Sequence, residues 1–189
     1  LDTRNMPKRT ESTWYAYGRS QSLKRFISEE HLIWPVLSLD SNYVYDNELV
    51  VFTGGGNGPF YGIEMKKTTQ ESIFYIQAIL NHWLMELLVK QGASIFRGGY
   101  YSHGKQFIAK LPIYRIDFSD AEELKIHNAI VAQVHTIEKL KKKQNEAKNS
   151  ASKDNYRRLA DSAFSELTEI INALYGVSRL QREGTSESD

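Results

Sequence analysis

Residues 95–113 (IFRGGYYSHGKQFIAKLPI) gather side chains of a kind that recognise rather than react. Arg97, His103, Lys105 and Gln106 are interleaved with the adjacent pair Tyr100 and Tyr101 and with three glycines. An arginine fork matches the O6 and N7 acceptors of guanine, and a glutamine amide matches the N6 and N7 edge of adenine. Each such bidentate pair discriminates against a wrong base by about 1–3 kcal/mol. Lysine and histidine add contacts to bases or phosphates. Tyr100 and Tyr101 have two readings: rings that wedge or stack against a flat ligand, or core tyrosines with polar tips.

A second cluster of the same chemistry, Arg19, Gln21, Lys24 and Arg25, follows the aromatic run at residues 14–17. It reads either as an anchor facing the same ligand or as a solvated basic turn after a core strand. Residues 54–59 (GGGNGP) carry Asn57 in a glycine-rich loop. The loop lacks the Lys-Ser/Thr and the helix of a phosphate-binding P-loop, so it reads as a mobile hairpin connection that could still follow a nucleic-acid surface.

A third set is purely electrostatic. The formal net charge is only +1, but residues 139–158 hold eight basic and two acidic groups. Residues 120–138 hold one basic and four acidic, and residues 159–189 hold two basic and six acidic. Lys141, Lys142, Lys143, Lys148, Arg157 and Arg158 are therefore candidates for backbone-phosphate contact, which positions a duplex without reading it.

Catalytic constellations are missing from the sequence. It contains no GxSxG, HExxH, CxxC or GxGxxG. The histidines at 31, 82, 103, 127 and 135 are scattered, and structural roles suit them better than metal ligation. With no cysteine there is no disulfide or thiolate site, which suits a reducing, cytoplasmic setting. The longest apolar stretch, 73–89, is interrupted by Gln77, Asn81, His82 and Glu86, so it is not expected to enter a membrane.

The elements that must hold these groups follow from periodicity. Apolar residues at 73, 76, 80, 83, 84, 87 and 88 predict one long helix, with Thr68 as N-cap, Glu71 completing a capping box and Gly92 as the stop. Ahead of it, residues 32–39, 43–45, 49–53 and 61–65 read as strands, with Pro35 at an edge or a bulge. Asn81 and His82 read as capping or packing groups. After residues 114–118, Ser119 and Glu122 form a second capping box for a helix to about residue 148. Its seam is Leu124, His127, Val131, Val134 and Ile137. Another helix is expected from about 154 to 175, with Leu159, Ala163, Phe164, Leu167, Ile170 and Leu174 as its seam. A short polar link makes the two antiparallel neighbours, which gathers the basic block at their tip, roughly 40 Å from Asp120.

The expected class is α+β: a small mixed or antiparallel sheet domain packed with a helix, followed by a long antiparallel helical hairpin. The hydrophobic fraction of 41% is ample for its core. The expected divisions are a flexible segment at 1–13, a recognition domain at 14–118, the helical hairpin at 119–178 and a disordered tail at 179–189. A chain that starts at Leu1 without a methionine is expected to be a piece of a larger protein.

Several blocks in order resemble a known family. They are WYAYGRSQSL at 14–23, YIQAILNHWL at 75–84, RGGYY at 97–101, KLPI at 110–113 and INALYGV at 171–177. Together they look like the TaqI-like C-terminal specificity domain, the target recognition domain of type II, chiefly type IIG, restriction-modification enzymes and N6-adenine DNA methyltransferases. The resemblance implies a module that reads double-stranded DNA, attached to an upstream methyltransferase domain, with or without a nuclease. The S-adenosylmethionine cofactor and the Asn-Pro-Pro-Tyr motif belong to that upstream domain. This sequence contains no such tetrapeptide, so neither catalysis nor a cofactor is expected within it. The alternative class is a protein-interaction module whose helical hairpin docks on a partner subunit.

Overall fold

A computed structural model describes residues 31–48 and 59–178. The strands expected at 14–17 and 49–53, the glycines at 54–58 and the tail from 179 lie outside these residues. The predicted strand at 32–39 is two strands. β1 (His31–Pro35) ends at its proline, the chain turns, and β2 (Leu37–Ser38) enters a different sheet. The strand Val44–Asp46 pairs β1 no further than Ile33, so at Pro35 the otherwise central strand has a neighbour, the strand Phe60–Glu64, on one side only, an edge position of the kind expected. The proline ring removes the ladder donor at the point where pairing stops.

β3 (Val44–Asp46) and β4 (Phe60–Glu64) flank β1 in an antiparallel sheet of order β3-β1-β4. Leu32 and Trp34 point from β1 into a core with Tyr43, Ile73, Leu80, Val89 and Ile108.

The long helix expected over 73–89 is broken in two: α1 (Ile73–Leu80) and α2 (Trp83–Gly92). Asn81 causes the break. Its side-chain amide donates to the Tyr43 carbonyl at 2.8 Å and accepts from the Tyr43 N–H at 2.9 Å, pairing like a strand residue. His82 then caps α2, its Nδ1 accepting from the Leu84 N–H. Both act as capping and packing groups, as their positions suggested. The N-cap of α1 is Ser72, whose hydroxyl accepts from Phe74 N–H, and not Thr68. Glu71 cannot complete a capping box because it is buried in an ion pair with Arg115.

β5 (Ile95–Phe96) and β6 (Tyr100–Ser102) form a hairpin that pairs with β2 as a second sheet, order β2-β6-β5. A short helix not foreseen from the sequence, α3 (Lys105–Ile108), follows. Residues 114–118 are irregular and lead to α4 (Ala121–Glu146). Asp120, one residue after the expected cap Ser119, accepts from the N–H groups of Glu122 and Glu123. α5 (Ser150–Tyr175) starts four residues earlier than expected, behind Asn149, and ends at Gly176 with φ 63°.

The two long helices are antiparallel, Gln133 reaching Glu166 and Lys143 lying over Tyr156. Most of the predicted seam is found, His127, Val134, Ile137, Ala163 and Leu167 being buried and Val131, Ile170 and Leu174 packing against that core. His127, Ile130, Val134 and Ile137 of α4 are buried, and so are Ala160, Ala163, Leu167 and Ile171 of α5. Leu159 and Phe164, assigned to the seam, are exposed by 46% and 51%. Small alanines let the helices approach, and the larger side chains are turned outward. Tyr75, Ala78, Ile79 and Met85 join this core from α1 and α2. α1 is therefore covered on both sides, by the first sheet and by α4. The α+β class holds.

Candidate functional site

The β5–β6 hairpin stands on a buried polar network. His103, 1% exposed, places Nε2 at 2.9 Å from the Glu86 carboxylate of α2. Its Nδ1 faces the Ser38 hydroxyl and the Tyr101 carbonyl, each at 3.2 Å. The His103 main chain is held as well: its N–H donates to the Val36 carbonyl, and its carbonyl accepts from the Trp34 indole at 2.8 Å. Ser41 donates to Glu86 at 2.6 Å. Lys90, one turn along α2, bridges Glu86 at 3.3 Å and Asp40 at 3.0 Å and lies over the Tyr101 ring. Burial alone would raise the Glu86 pKa, but the hydrogen bonds from His103 and Ser41 and the charges of His103 and Lys90 hold it below the ordinary value. Burial also acts on Lys90 to lower its pKa, and Asp40 and Glu86 outweigh it.

This geometry corrects one assignment. His103 is not presented to a ligand, because its ring is enclosed and both nitrogens face protein groups. Its place is beneath the hairpin, as a support. Glu86, which the sequence pattern placed only as an interruption of an apolar helix, is its partner. The i, i+4 spacing of Glu86 and Lys90 was the available signal, but the histidine contact spans 17 residues and comes from the fold.

The other hairpin candidates are at the surface. Arg97 sits exposed in the turn beside Gly98 and Gly99, whose φ values of 88° and 78° favour glycine. Tyr100 is exposed and Tyr101 half-buried. Lys105 and Gln106 are exposed on α3, and the Gln106 amide folds back over Gly104, within 3 Å of where a Cβ would stand. From residue 87 to 116 the chain has Lys90, Arg97, Lys105, Lys110 and Arg115 and no aspartate or glutamate. Of these, Lys90 is paired with Glu86 and Asp40 and Arg115 with Glu71, which leaves Arg97, Lys105 and Lys110 as the exposed cations around the hairpin. Arg19, Gln21, Lys24, Arg25 and Asn57 lie outside the described residues.

At the far end of the helical pair, Lys139, Lys141, Lys142, Lys143, Lys148, Lys153, Arg157 and Arg158 are all exposed around the connection at 147–149. Arg157 is tied to Asp154 at 3.1 Å and Lys143 leans on Tyr156. These tethers are local, within α5 or across the pair. Elsewhere on this pair, exposed Phe164 separates two clefts of about 380 and 490 Å³, both reaching Ser41, Asn81 and Thr168. Among the described residues no cluster of three or more His, Asp or Glu could hold a metal ion, and no helix is long and apolar enough to cross a membrane.

No protein-family model matches the chain. It is 30% identical over 172 residues, 90% of its length, to the type II restriction enzyme and methyltransferase RM.Eco57I of Escherichia coli. The matched region is 17% of that protein. The chain is thus related to a type II restriction-modification enzyme and corresponds to a small part of it.

Proposed function

From that relation we propose that the chain is a target recognition module of the TaqI-like specificity type, reading duplex DNA for an adenine methyltransferase or type II restriction enzyme. The observation that carries this reading is the anchored hairpin, with its exposed Arg97 and carboxylate-free flanks. Arginine and glutamine have the donors and acceptors for base edges, and the supporting network anchors the end of the hairpin from which they project. The basic tip of α4 and α5 supplies phosphate contacts that hold the duplex without selecting its sequence. S-adenosylmethionine and the methyl-transfer chemistry belong, on this reading, to a separate catalytic domain of the parent protein.

The test is fluorescence anisotropy on a 30-bp duplex selected from a random library, with a scrambled duplex as control. Specific binding should exceed non-specific binding by at least about a thousandfold, and both should weaken steeply between about 50 and 200 mM salt. Equal affinity for selected and scrambled duplexes would remove the reading function.

A second reading, docking of the helical pair on a partner subunit, draws on Phe164, 51% exposed between two clefts. Salt separates the two, because apolar docking does not weaken steeply with ionic strength. Both can hold in one protein, with the tip on DNA and the Phe164 face on a neighbouring domain.

A further inference from the structure

The second sheet turns an apolar face to solvent. Cross-strand partners share a face of a sheet, and residues alternate faces along a strand. The register pairs Leu37 with Ser102 and Phe96 with Tyr100, while Ser38 and Ile95 both pair with Tyr101. Ser38, Tyr101 and Ile95 are therefore on the α2 side, where Lys90 covers the Tyr101 ring and Ser38 meets His103, while Ile95, at the edge strand, stays 67% exposed. Leu37, Ser102, Tyr100 and Phe96 are on the opposite side, with Leu37 exposed by 46%, Tyr100 by 43% and Phe96 by 47%. Leu39, 50% exposed, reaches within 3.9 Å of the Cβ position at Gly99.

A solvated sheet face is ordinarily polar, and a contiguous apolar one marks a binding surface. This one is also flat at its end. Gly98 and Gly99 put no side chain above the rings, and Tyr100 lies 3.4 Å from the Cβ position of Gly98.

The charges around it select the occupant. Arg97 in the turn and Lys105 and Lys110 just beyond β6 are exposed, and no carboxylate occurs between residues 87 and 116. Asp40, next to Leu39 in the chain, is paired at 3.0 Å with Lys90, which it shares with Glu86. Aromatic rings bordered by exposed cations, with Asp40 held by Lys90, match a strand whose bases are flat and whose backbone is anionic. In a paired duplex the base faces are covered by one another, so rings on a sheet face can stack only on bases that have left the helix. We propose that the outer face of β2-β6-β5 is a stacking platform for unpaired nucleobases, with Phe96 and Tyr100 under the bases and Lys105 along the phosphates. This rests on the DNA-reading function proposed above and adds single-stranded or extrahelical nucleotides to its ligands.

The probe is fluorescein-labelled dT15, titrated with the full chain in parallel with a 30-bp duplex. Phe96→Ala and Tyr100→Ala should each weaken dT15 about tenfold, and weaken the duplex less. Phe96→Trp should restore dT15 affinity and show indole fluorescence quenched on binding, a signature of stacking that a purely structural role would not produce. Both positions are exposed, and unchanged far-UV circular dichroism checks that the variants fold. Duplex binding without dT15 binding, or dT15 affinity indifferent to both alanine variants, overturns the platform and leaves duplex reading intact. Failure to bind either probe overturns both. Self-association of the chain that Phe96→Ala abolishes would assign the face to a second copy and overturn the platform.

Discussion

The two cationic regions of this molecule are built in opposite ways. The β5–β6 hairpin holds few charges, and the residues beneath it are buried: His103, Glu86 and Trp34 lock its last strand to α2 and β1. The tip of α4 and α5 holds eight basic residues, all exposed, with only local tethers such as Arg157–Asp154. Exposed ion pairs of that kind contribute little to stability and do not fix a side chain. Reading a base edge requires a side chain held to a fraction of an ångström, and attracting a phosphate requires only charge nearby. On this contrast the hairpin suits selection and the tip suits adhesion.

The largest effect should come from the support. His103→Ala leaves the Glu86 carboxylate buried with one partner fewer, and should destabilise the fold by about 3 kcal/mol in urea unfolding. A cost below about 1 kcal/mol would show that the network does not hold the hairpin, and the contrast would lose its basis. Next, Arg97→Ala should cost about 1–3 kcal/mol on a selected duplex and far less on a scrambled one. Equal losses on both duplexes would move Arg97 to the phosphate class, and no loss on either would remove it from the site.

Replacing Lys141, Lys142 and Lys143 with glutamine should weaken every duplex alike and flatten the salt dependence, by about 0.9 in slope for each phosphate contact removed. An unchanged slope would break the assignment of the tip. The smallest effect is acid sensitivity. Glu86 and Glu71 both titrate below the ordinary 4.5, each held down by hydrogen bonds and nearby cations that outweigh burial. The unfolded chain then binds protons more readily than the native one, so their stabilisation is complete above that value and is lost as pH falls below it. Thermal midpoints should decline over that acid range, and Glu86→Gln should make the decline shallower. A decline of the same steepness in Glu86→Gln would place the acid sensitivity elsewhere.

Much of the frame could be read without coordinates, and the departures share one origin. Helices α4 and α5 emerged from apolar spacing with ends within a few residues, because long periodic segments signal strongly. The break between α1 and α2 was hidden, because it depends on Asn81 pairing with Tyr43, 38 residues away. The outward turn of Leu159 and Phe164 was hidden too, since which stripe of an apolar helix is buried depends on the neighbour it meets. Among the site residues, the exposure of Arg97, Lys105 and Gln106 agrees with their being surface groups, while His103 went to the interior.

By itself the sequence determined the class of elements, the clustering of charge at the helical tip and the residue types gathered at 95–106. Those depend on local spacing and composition, which the chain carries wherever it folds. Only the tertiary structure decided that His103 supports instead of contacts, and that Glu86 is its partner. It alone decided that Leu37, Phe96 and Tyr100 share one exposed face. Each of those facts is a pairing between segments remote in the chain, set by strand register and by what burial requires of a charged group.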